Sequence, residues 1–264
     1  MKIRKHFLAA GTALAVLGAT AALAAIKSEP YYEKLNNVWV SMTFIGKTTG
    51  SIDIPKWNTY DAILKWNTDY GLTTPDYDNY IGGMTWGYDK YRPANIWYTI
   101  RAKNIETKNK GSLFFGAYGW SCGAGSNNTE DVEFYIVDTF WDDDGVPYGT
   151  RRVKNANGTW KTALSGGEIY DFYVTPEKKQ IGGKGAGTAC SPVDGQGRAF
   201  WQVWAVRRTK LALSVGTTRQ IKFAQIFSVM KTVRPMKDNL KYYGTFLEVG
   251  EGTRGSLRFT TSKN

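Results

Sequence analysis

Val132-Glu133-Phe134-Tyr135-Ile136-Val137-Asp138, reached through Phe114-Phe115-Gly116-Ala117-Tyr118-Gly119-Trp120, reads as two neighbouring strands. Both runs are dense in the aromatic and β-branched residues that suit a pleated, half-buried surface. Alternate side chains of a strand share a face. Glu133, Tyr135 and Val137 therefore point one way, and Phe134, Ile136 and Asp138 the other. A carboxylate two residues from a tyrosine on such a strand suits a sugar-lined cleft as readily as a solvated face. The rest of the chain has to decide between them.

Working outward, the β pattern dominates. Val38 to Ile45, Ser51 to Ile54, Tyr60 to Trp66 and Asn95 to Ala102 read as strands, with Lys103 to Gly111 as a polar hairpin region. Asn79-Tyr80-Ile81-Gly82-Gly83-Met84-Thr85-Trp86 combines glycine with aromatics, as expected where a sheet bends or a ligand comes close. Arg151 to Lys154, Trp160 to Leu164 and Glu168 to Val174 continue the series. Phe200 to Arg208 is a strand with Gln202, Trp204 and Val206 on one face. Phe223, Ile226, Phe227 and Met230 recur at helical spacing, so one α-helix is expected near residues 221–232, stopped by Arg234-Pro235. Tyr242 to Glu248 and Ser256 to Thr261 close the chain as strands. Many short strands with one late helix predict an all-β fold, a two-sheet antiparallel jelly-roll sandwich.

The 264 residues contain no linker-like stretch and no fixed-period repeat, which favours a single domain over residues 25–264. Residues 1–24 have the form of a signal peptide. Lys2, Arg4, Lys5 and His6 make a basic head, Phe7 to Leu23 an apolar body, and Ala22-Leu23-Ala24 a small-residue cleavage site. The expected product is secreted (extracellular, or periplasmic in a double-membrane bacterium), with no membrane association after cleavage and as a monomer. Cleavage takes the one histidine, His6, and lowers the net charge from +11 to +8 by removing Lys2, Arg4 and Lys5. The mature chain then has no Ser-His or Cys-His nucleophile and no histidine metal ligand. Asp142-Asp143-Asp144-Gly145 lacks the alternating oxygen ligands of a calcium hand loop and reads as a solvated turn, so no metal and no cofactor are expected. The basic residues are scattered and no nucleic-acid motif is present, so nucleic acid is not an expected partner. Cys122 and Cys190 are the two cysteines; in an oxidising compartment they form one disulfide by default.

Two carboxylates stand out: Glu133 on its aromatic strand, and Glu251 between Gly250 and Gly252. Glycosidic cleavage needs such a pair, one to protonate the leaving oxygen and one to attack the anomeric carbon or activate water. It needs neither histidine nor metal. At this point the sequence resembles glycoside hydrolase family 11, the small jelly-roll endo-β-1,4-xylanases, from about Asn79 onward. Tyr118-Gly119-Trp120 with Val132 to Asp138 is similar to the family's nucleophile strand. Gly166-Gly167 with Tyr170 to Tyr173 resembles the strand entering its thumb loop, and Gln202 to Lys210 the strand leaving it. Glu251-Gly252 resembles the acid/base turn, and Asn79 to Trp86 the strand beside it.

The resemblance implies a retaining endo-1,4-β-xylanase acting on xylan or xylo-oligosaccharides, with Glu133 as nucleophile and Glu251 as general acid/base. It implies that Tyr118 and Tyr135 support the sugar and nucleophile, that Gln202 holds a hydroxyl, and that Asn79 bonds Glu251, with a near-neutral pH optimum. Trp204, Pro192 of the thumb and Phe44 as an aromatic platform complete the implied substrate contacts. Thr245 stands where the family has a tyrosine, and Tyr243, of the same strand parity, is expected to compensate. The loop Cys122 to Asp131 is longer than the family's and lacks its proline, and the thumb is enlarged. A Cys122–Cys190 bridge is expected to join the two. These departures keep open a non-catalytic xylan-binding protein on the same scaffold. A related β-glucanase is a third reading, disfavoured by the Gln202 to Lys210 match.

Overall fold

The structure is a computed structural model. It describes residues 25–263 except 28–30, 36–37, 46–48, 55–60, 69–78, 87–94, 108–112, 125–129, 141–144, 148, 179–189, 191–198, 210–216, 239 and 251–252. The expected signal segment lies outside the described residues.

Among the described residues, two β-sheets and one helix make up the fold, as the sequence pattern predicts. The first sheet has six strands. β1 (Ala25–Lys27) pairs β4 (Thr49–Ile54), followed by β5 (Asp61–Asn67), β16 (Thr253–Lys263), β7 (Ile96–Thr107) and β14 (Thr217–Ile221). The larger sheet runs β10 (Arg151–Arg152), β12 (Glu168–Val174), β13 (Trp201–Arg207), β9 (Glu130–Phe140), β8 (Leu113–Ala124), β15 (Tyr242–Val249), β6 (Asn79–Trp86), β3 (Val38–Ile45), β2 (Tyr31–Leu35), with β11 (Thr162–Ser165) paired to β12. The pairing is antiparallel except where β13 lies parallel to β9. A parallel neighbour needs a long crossover, and the excursion through β10, β11 and β12 supplies it. β7 runs on through Thr107, where a hairpin was expected from Lys103, because β16 pairs with it along its length.

The alternation in β9 holds. Phe134 and Ile136 enter the main core, while Tyr135 and Val137 belong to a separate aromatic cluster on the sheet's other face. The helix α1 (Phe223–Met230) covers the core face of β9. Phe134 meets Phe223 and Phe227 edge-on at 5.7 and 5.2 Å between ring centroids. Phe223, Ile226, Phe227 and Met230 are all buried there, each contributing about 1.5–3 kcal/mol through burial. The helix thereby fixes which face of β9 is left for Glu133.

Two glycines are required by close backbone approach. A Cβ on Gly116 would lie 1.9 Å from the Ile136 carbonyl oxygen, at the point where the β8–β9 register shifts. One on Gly83 would lie 2.2 Å from the Thr245 carbonyl oxygen. The glycine-rich stretch of β6 thus serves strand packing against β15.

Asp138, the inward carboxylate of β9, is buried and accepts hydrogen bonds from the hydroxyls of Tyr98 on β7 and Tyr170 on β12. Arg219 on β14 pairs with it at 3.2 Å. This group ties β9 to the opposite sheet. Burial first, and then the Asp138 charge, hold both phenols well above their ordinary pKa. A raised phenol pKa supplies stability that is complete below the unfolded value of about 10 and is lost as pH rises above it. We therefore expect stability to fall steeply above about pH 10. Tyr98→Phe with Tyr170→Phe should flatten that fall, as urea midpoints measured between pH 8 and 11 would show. An unchanged slope would contradict it.

Candidate active site

Glu133, Tyr135 and Val137 lie on the face of the larger sheet opposite the main core, because Phe134 and Ile136 are committed to that core. Glu133 is 7 % exposed, so its carboxylate is accessible only from this face. Antiparallel pairing sets Trp120 beside Glu133 and Tyr118 beside Tyr135, and parallel pairing sets Gln202 beside Glu133 and Trp204 beside Tyr135. The Tyr118 hydroxyl donates to Glu133 Oε1 at 2.8 Å, and Gln202 Nε2 donates to Oε2 at 2.7 Å. Each carboxylate oxygen therefore has a donor that fixes its rotamer. Trp120 Nε1 donates to the Tyr118 hydroxyl at 2.5 Å, directing the tyrosine's own proton toward Glu133.

Tyr135 stacks on Trp204 at 3.6 Å between centroids with the rings 3° from parallel. Phe246 meets Tyr135 edge-on at 5.3 Å and lies 5.7 Å from Tyr118. Phe114 meets Trp204 at 5.6 Å. The result is an aromatic cluster around one oriented carboxylate. Tyr135, Trp204 and Phe246 are 2 %, 5 % and 1 % exposed, so these rings pack as a second buried cluster beside Glu133.

Several further expectations have definite placements. Cys122 and Cys190 form a disulfide. Asp131 lies against it, accepting from the Gly123 amide at 2.8 Å, but both sulfurs are bonded to each other and offer no thiolate to a metal. Tyr243 is corrected. It is 1 % exposed and packs on Phe223 at 4.8 Å, in the core under the helix. Thr245 is equally buried on the same strand parity, so neither side chain reaches a sugar. The groove-facing parity of β15 belongs instead to Gly244, Phe246 and Glu248, of which Gly244 pairs with Tyr118. Glu133, Trp120 and Tyr242 share one row across β9, β8 and β15. Glu248 stands six residues along β15 from that row, roughly 20 Å at about 3.4 Å per residue. It is therefore not the carboxylate that works directly with Glu133.

Glu251 and Pro192 lie outside the described residues, as do the side chains of Asn79 and Phe44, whose backbones are in β6 and β3. Gly250 and Thr253, on either side of the Glu251-Gly252 pair, are both bonded to Thr68 at the end of β5. Trp120 and Phe246 were not singled out from sequence. Trp120 was detectable through its shared parity with Tyr118; Phe246 was not, since it depends on the register of β15.

No family model matches the sequence, and no curated protein matches it in sequence. Solved structures do match in fold. A loop-swap mutant of Xyn11A from Neocallimastix patriciarum aligns with a TM-score of 0.67 at 14% identity, over 91% of this chain and 100% of that one. The family 11 xylanase from the same organism gives 0.63 at 14%, over 92% and 100%. A mutant of ENZbleach xylanase gives 0.59 at 14%, over 91% and 84%. At that identity the likeness establishes a shared jelly-roll fold.

Proposed function

We propose that the chain is a secreted endo-1,4-β-xylanase that cleaves internal bonds of xylan with retention. The observation that carries this is Glu133, oriented by Tyr118 and Gln202 beside an aromatic cluster, on a fold shared with xylanases. In this reading Glu133 attacks the anomeric carbon while the glycosidic C–O bond breaks. The leaving oxygen takes a proton from a general acid, for which the family resemblance names Glu251; β15 carries the chain away from the Glu133 row before that residue, Val249 standing seven residues along it. Water then cleaves the glycosyl ester, yielding its proton to Glu251. The ionised Glu133 favours protonated Glu251 in the first step, and ester formation removes that influence for the second.

A specific observation supports a second reading, a xylan-binding protein without turnover. From β15, Phe246 and Gly244 face Tyr135 and Tyr118, where a working partner carboxylate would be expected. Incubating the secreted protein with xylan separates the two. Reducing ends should accumulate with retained anomeric configuration. Saturable xylan binding without new reducing ends over pH 4 to 9 would replace the first reading with the second.

A further inference from the structure

The row that holds Tyr135 and Trp204 does not end with them. It continues to Tyr173 and Arg152, because Trp204 pairs with Tyr173 and Tyr173 with Arg152. At its rim stands Trp160, bridged to Lys154 and 46% exposed. The Arg152 guanidinium and the Lys154 ammonium sit over the Trp160 ring at 4.9 and 4.8 Å. One carboxylate, Asp171, answers this group. It accepts from Arg152 at 2.5 Å and from Arg208 at 3.0 and 2.7 Å. Three cations face one anion, and Lys154 has no acidic partner among the described residues. The excess is a positive rim beside the aromatic cluster of Tyr135, Trp204 and Tyr173.

Two features distinguish this rim from scattered surface charge. Cation–π contact holds Lys154 and Arg152 against a rigid ring, and Asp171 fixes the far side of the Arg152 guanidinium. Much of the side-chain entropy that a freely moving lysine loses on pairing is therefore lost already. The hydroxyls and amides of Asn155, Asn157 and Thr159 form the adjoining hairpin surface, which suits a polar, hydroxylated ligand.

We infer that the Trp160–Lys154–Arg152 rim binds the carboxylate of a uronic-acid unit on the polysaccharide bound beside Glu133. The chemistry is charge-assisted pairing of a sugar carboxylate with fixed cations, and it rests on the xylan reading above for the chain in the groove. The natural substrate class is thus an acidic, uronate-substituted xylan.

The test compares binding to uronate-substituted xylan with binding to the same xylan after reduction of its carboxyl groups, at low and high salt. The unsubstituted protein should prefer the acidic form by about tenfold, with the preference reduced by salt screening. Lys154→Gln and Trp160→Ala should each remove that preference and leave affinity for the reduced xylan unchanged. Thermal unfolding provides the folding control, and both positions are exposed. Absence of preference in the unsubstituted protein, or equal weakening on both xylans in the variants, overturns the inference. If neither xylan binds but polygalacturonate binds through Lys154, the rim stands and the xylan reading falls.

Discussion

If the chain is the xylanase proposed above, Glu133→Gln should abolish hydrolysis of xylan, by about a thousandfold or more, while the protein stays folded and still binds the polymer. The substitution preserves size and removes the charge that the proposed mechanism uses for attack on the anomeric carbon. Its structural cost is small for a reason visible in the site. Gln202 spends its amide donor on Glu133, and its Oε1 has no partner among the described residues. A flip of the Gln202 amide lets that oxygen accept from the new amide at position 133, while Tyr118 continues to donate. The change in stability should stay near 1 kcal/mol. Reducing-sugar assays, with xylan affinity measured on the same preparation, check this. Loss of activity together with loss of binding would point to misfolding or to a binding role for the charge.

Asp138→Ala should destabilise the fold by about 3–5 kcal/mol, the range for removing one partner of a buried ion pair. The loss strands two buried phenols, Tyr98 and Tyr170, and weakens the hold on Arg219, whose remaining partner Glu168 is 3.8 Å away. Asp138→Asn keeps the shape and loses the charge, so a smaller cost is expected. Urea denaturation gives the comparison; a loss under 1 kcal/mol would show that the group contributes little to holding β9 against the opposite sheet. The effect would extend to catalysis, since Asp138 and Glu133 lie on opposite faces of one strand.

The division of labour along β9 was legible in the sequence, because period-two alternation separates Phe134 and Ile136 from Glu133, Tyr135 and Val137 without reference to any partner. The helix was legible for the same reason at its own period, and the two cysteines define one bridge. What local pattern cannot carry is strand order and register. Nothing in Gln202 to Val206 announces that this strand lies parallel to β9, yet that pairing is what delivers the Gln202 amide to Glu133. Tyr243 illustrates the cost of an uncertain register. A slip of one residue exchanges the two faces of a strand, and β15 is set so that Tyr243 enters the main core while Phe246 joins the cluster around Tyr135. Asp138 was readable as polar and inward but not as the meeting point of β7, β12 and β14, three strands far apart in the chain.

The central claim is that Glu133 attacks sugar, and covalent trapping tests it most directly. A fluorinated xylobiosyl analogue with a good leaving group slows breakdown of the glycosyl ester, so a retaining enzyme accumulates it. Peptide mass mapping after incubation should place one fluoroxylobiosyl unit on Glu133, with no label in Glu133→Gln. A protein that binds xylan yet remains unlabelled, or one labelled at another residue, would contradict the account.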